Sequence, residues 1–143
     1  MYNAVMAGNN RKVVQLLFLG YRLADVFGKK DAEAVFLTEA ERCCEKGGDI
    51  LEHSDNHGTY ILLTVACQLD TSPTKLHYDI RTNASKRMRE CIPELNYFRQ
   101  VIQGKAHIYG GEYTEETAAW TENEVNEYRC ATVAQRKGYK NNG

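Results

Sequence analysis

At 143 residues the chain has the length of one domain, and 18 basic against 19 acidic side chains leave it one unit negative at neutral pH. That balance gives no general electrostatic pull toward nucleic acid or anionic lipid. The longest apolar run, Ile61 to Cys67 broken by Thr64, is too short to span a bilayer, and MYNAVMAGNN lacks a basic stretch leading into an apolar one, so a cytosolic protein with no membrane partner is expected.

In chain order, Asn10 can cap a helix in which Val13, Val14, Leu17 and Phe18 recur at three- and four-residue spacing up to Gly20. Leu23 to Cys44 reads as a long helix, or two meeting near Gly28, with Ala32, Val35, Phe36, Ala40, Cys43 and Cys44 forming its apolar stripe. Gly47-Gly48 should stop it. Asp49 can cap the short piece DILEHSD, and Asn56 to Gly58 is a turn. Thr59 to Leu69 carries a buried-helix pattern, although TYILLTV is rich enough in β-branched residues to form a strand; a helix is expected.

Ser72-Pro73 is a helix start, with a capping hydroxyl and proline at the first helical position. Leu76, Ile80, Ala84 and Met88 follow at four-residue steps, and Pro93 should interrupt the helix because it lacks an amide proton and collides with the preceding turn. Ala106 to Tyr113 brackets Gly110-Gly111 and suits a tight turn or small hairpin. Thr114 caps a last helix reaching toward Lys137, glutamate-rich at its start and basic at its end as the helix dipole favours, and Lys140 to Gly143 should fray.

Cys43, Cys44, Cys67, Cys91 and Cys130 include no Cys-x-x-Cys pair, so neither a disulfide framework nor a structural zinc site is expected. Four of them sit among apolar or small neighbours as buried thiols; Cys91 differs, because Lys86, Arg87 and Arg89 lie close enough to favour its thiolate. Glu52, His53, Asp55 and His57 are the one dense group of potential metal ligands, read here as a solvated polar turn. Lys86, Arg87 and Arg89 can touch phosphate, yet no aromatic platform accompanies them, and nucleic acid is set aside as a partner.

Lys86-Arg87, Cys91, Glu94 and Tyr97-Phe98, followed by Gly110-Gly111, resemble in order the chromophore-binding helix of phycobiliproteins. Leu23, Phe27-Gly28, Leu37 and Ala40 resemble that family's first long globin-type helix, while Pro93, Glu94 in place of an aspartate and a short C-terminal part depart from its pattern. The resemblance implies an all-α, globin-like single domain over residues 1–143, with residues 1–20 as an N-terminal helical arm through which a homo- or hetero-dimer forms. It further implies a non-enzymatic protein binding a linear tetrapyrrole, or bilin. Cys91 would form a thioether, Glu94 would accept from pyrrole N–H groups, Lys86 and Arg87 would hold the propionates, and Tyr97 and Phe98 would wall the pocket. Two alternatives stay open: a helical protein-interaction module in which Cys91 is only packed, and a haem-binding globin using His77 or His107.

Overall fold

The computed structural model describes residues 11–20, 25–29, 31–93, 95, 102–109 and 115–130. Its elements are β1 (Arg11–Gly20), a 3-10 turn (Val26–Gly28), α1 (Ala32–Lys46), β2 (Ile50–Asn56), β3 (Tyr60–Gln68), α2 (Pro73–Cys91), β4 (Ile102–Tyr109) and α3 (Glu115–Cys130). The strands form one sheet in the order β2-β3-β1-β4, and every neighbouring pair is antiparallel. A βαββαβ chain with this order is the ferredoxin-like arrangement, here followed by a third helix.

The all-α, globin-like expectation is therefore overturned, and with it the phycobiliprotein resemblance. The decisive segments are the two apolar runs VVQLLFL and YILLTVAC. As central strands they bury residues on both faces. Val14, Leu16 and Phe18 with Ile61, Leu63 and Val65 meet α1 and α2, while Leu17, Leu19 and Leu62 meet Val125 and Trp120 of α3. A run buried on both sides satisfies a helical spacing and a strand equally well, so periodicity cannot separate them. Of the expected helical arm over residues 1–20, residues 1–10 lie outside the described residues, and residues 11–20 are instead β1, paired Val14↔Val65 and Phe18↔Ile61 with β3 and Leu17↔Lys105 with β4. Val14, Leu17 and Phe18 have no exposed surface.

Residues 25–46 are not one long helix. Val26–Gly28 is a single 3-10 turn, and α1 begins at Ala32. Gly47 ends α1 as expected. The helix α2 also follows its sequence signals: Ser72 Oγ accepts from Lys75 N at 3.2 Å, Pro73 opens the helix, and it closes at Cys91 ahead of Pro93. On the core side Phe36 meets Phe18 and Phe27 edge to face, with ring centroids 5.0 and 5.1 Å apart. The β2–β3 hairpin turns at Asn56–Thr59, where Gly58 takes φ +84° and its N–H donates to Asn56 Oδ1 at 2.7 Å. No helix among the described residues is long and apolar enough to cross a membrane.

Candidate functional site

Alternation along the strands places one set of polar residues on the α3 side of the sheet. By register His53 of β2 stands beside Thr64 of β3, Thr64 beside Gln15 of β1, and Gln15 beside His107 of β4. A polar row thus crosses a sheet whose central strands are otherwise apolar from Val13 to Leu19 and from Ile61 to Cys67. Gln15 has no exposed surface. Its Nε2 donates to Thr64 Oγ1 at 3.1 Å, and its Oε1 has no hydrogen-bond partner among the described residues. A buried amide oxygen in that state costs about 1–3 kcal/mol, so keeping it at the centre of the sheet needs a reason outside stability.

The same face continues into the hairpin. His57 Nε2 lies 3.0 Å from Asp55 Oδ2, and the imidazole stacks on Tyr60 with ring centroids 4.4 Å apart. A carboxylate only accepts, so Nε2 donates in this contact. The aspartate fixes the tautomer and the tyrosine ring fixes the plane of the imidazole. The expected solvated turn over residues 52–57 is thus a strand and a hairpin. Among the described residues no three His, Cys, Asp or Glu side chains stand together as a metal-holding group.

The remaining histidine is structural. His77 of α2 stacks on Phe18 at 4.1 Å between ring centroids, and its Nε2 lies 2.8 Å from the Leu17 carbonyl, pinning α2 to β1. Burial drives its pKa down to about 4, so the ring is neutral and Nε2 donates.

The residues drawn from the phycobiliprotein resemblance do not form a site. Cys91 is exposed at the last position of α2. Lys86 is exposed, and Arg87 is engaged by protein carboxylates, Glu90 Oε1 at 2.9 Å and Glu39 Oε2 at 3.5 Å. Arg42 holds the same buried Glu39 carboxylate. Glu94, Tyr97 and Phe98 lie outside the described residues. Bilin binding through these groups is accordingly corrected, and the haem globin and the helical interaction module fall with the all-α fold that each assumed. Cys44 and Cys67 are buried thiols as expected, with pKa values pushed up to about 12 chiefly by desolvation.

A cleft of about 560 Å³ lies between the end of α1 and the start of α2, bordered by Lys46, Asp49, Thr71, Ser72 and Lys75. Three of its polar groups are committed to the fold: Asp49 Oδ1 accepts from Gln68 N at 2.9 Å and Thr71 Oγ1 at 2.8 Å, and Ser72 caps α2.

Sequence reasoning passed over Gln15 and Thr64. The available signal was that each is the sole polar residue inside an apolar run, VVQLLFL and ILLTVAC. Register shows that the two interruptions meet.

The fold is an α/β sheet of ferredoxin-like order with helices on both faces. No family model matches the sequence, nor does any curated protein. Among solved structures the chain is similar to one from Deinococcus radiodurans R1 described as a candidate transposase, with a TM-score of 0.70 at 12% identity, over 85% of this chain and 93% of that one. At that identity the likeness establishes a shared fold.

Proposed function

We propose that the protein acts on DNA strands as a transposase-type domain, with the α3 side of its sheet as the reacting face. The observation that carries this reading is the extent of the structural likeness, which spans nearly the whole of a chain described as a candidate transposase rather than a fragment of it. Fold alone does not give function. The polar row His53–Thr64–Gln15–His107 and the Asp55–His57–Tyr60 group support the reading, because moving a phosphodiester bond needs hydrogen-bonding groups for the phosphate oxygens and a base for the incoming hydroxyl. In this scheme His57 Nδ1 takes the proton while Asp55 stabilises the resulting imidazolium. The reading departs from the non-enzymatic expectation drawn from sequence.

The test is incubation of the purified protein with end-labelled single-stranded and duplex oligonucleotides in the presence of Mg²⁺ or Mn²⁺. Binding together with nicked or strand-transfer products is expected, with the rate falling by about 10²–10⁴ in His57→Ala, as for loss of a general base. Failure to bind or cut any oligonucleotide at low salt would refute the reading.

A further inference from the structure

The hairpin that carries His57 lies at the end of the edge strand β2, where a tight turn is ordinarily the loosest part of a sheet. Here it is tied to the core by a residue 29 positions earlier in the chain. Phe27, in the 3-10 turn, grips the hairpin with both of its backbone groups. Its N–H donates to the Gly58 carbonyl at 2.9 Å, and its carbonyl accepts from Asn56 Nδ2 at 3.3 Å. The other end of the same amide, Oδ1, accepts from Gly58 N at 2.7 Å. A carbonyl only accepts and an N–H only donates, so these two partners fix which way the Asn56 amide faces. The Phe27 ring is 2% exposed and meets Phe36 of α1 edge to face, so the tether ends in close-packed core.

Asn56 and Gly58 are the two chain neighbours of His57, so both residues flanking the imidazole are held from one point. The His57 N–H in turn closes on the Tyr60 carbonyl at 2.8 Å. The side-chain contacts alone would order the ring poorly, because the His57 and Asp55 side chains are 39% and 42% exposed and an ion pair so open to water is weak. The backbone beneath the ring supplies the rest. From this we infer that Asn56 is a positioning residue, which through its bond to Phe27 sets the His57 imidazole against Asp55 and over Tyr60. The inference rests on the transposase-type reading for the reaction that His57 serves, whereas the seating of the ring is a property of the fold that can be measured without a substrate.

Proton NMR of the full chain tests the seating. Stacking on Tyr60 holds the His57 ring protons over an aromatic face and moves their signals upfield of those of an unstacked histidine; the signals are assigned by their loss in His57→Ala. Asn56→Ala should return them toward the unstacked position. Asn56→Ser keeps a hydroxyl that can accept from the Gly58 N–H but is too short to reach Phe27, so it should do the same. In oligonucleotide cleavage both variants should lower kcat by up to about a hundredfold and leave affinity unchanged. Ser72→Ala removes the α2 cap far from the hairpin, and as the control for lost stability it should leave both the ring signals and kcat as they are. Wild-type ring signals in Asn56→Ala, or their full recovery in Asn56→Ser, overturn the inference. If the ring signals move as expected but the wild-type chain cuts no oligonucleotide, the transposase-type reading fails and the seating of His57 by Asn56 stands.

Discussion

Replacing Gln15 by Leu should stabilise the protein while removing its function. In the folded state Gln15 Oε1 is buried without a partner among the described residues, a condition worth about 1–3 kcal/mol against folding. Leucine keeps most of the volume, deletes the unpaired oxygen and adds apolar contact with Leu17 and Leu62 on the same face. Against this stands the loss of the 3.1 Å bond to Thr64, about 1 kcal/mol, and Thr64 is only half-buried so water can replace its missing donor. The balance favours Gln15→Leu by about 1 kcal/mol, which in a chain of this length raises the melting temperature by roughly 2–4 °C. Urea titration with an unchanged m-value would show that the gain belongs to the folded state. A loss of more than about 1 kcal/mol would mean that the amide is satisfied within the fold, and the argument that it is held for a ligand would collapse.

Two further perturbations probe the framework. Because His77 is depressed to about 4 by burial, its unfolded form binds a proton near pH 6.5 while the folded form resists, so the unfolded state holds more protons between those values. Stability from this group is complete above about pH 6.5 and is lost as pH falls toward 4, by on the order of 3 kcal/mol; His77→Phe should flatten that part of the urea-derived stability–pH curve, and an unchanged slope would show that the ring protonates freely in place. Gly58→Ala should cost about 1–3 kcal/mol by thermal unfolding, since φ is +84° and a Cβ there would collide with Asp25 Oδ1; a neutral result would mean that the hairpin relaxes around the methyl group.

What the sequence made legible was local. α2 could be read almost whole, because Ser72 and Pro73 satisfy and end the orphan donors of its first turn and Leu76, Ile80, Ala84 and Met88 all reach the core. The α1 terminus at Gly47 was equally plain. The sheet was hidden because the strands that define it are central, and a central strand loses the alternation that marks an edge or half-exposed one. Val13, Val14, Leu17 and Phe18 fit a helix face only when Leu16 and Leu19 are ignored, and all but Val13 among these six are buried. The candidate site was hidden for a related reason. Gln15, Thr64 and His53 are separated by 49 and 11 positions in the chain, and only strand register makes them neighbours. The bilin reading erred in the opposite direction, taking an ordered set of charged and nucleophilic residues on one helix for a pocket when the tertiary structure spends Arg87 on Glu39 and leaves Cys91 at an exposed helix end.

The chemistry proposed for the sheet face separates rate from binding. Loss of His57 removes a proton transfer made only as the bond breaks, which lowers kcat and leaves affinity alone. A His57→Ala variant that binds oligonucleotides more weakly at unchanged kcat would make the imidazole a binding group, and the sheet face would lose its claim to the chemistry.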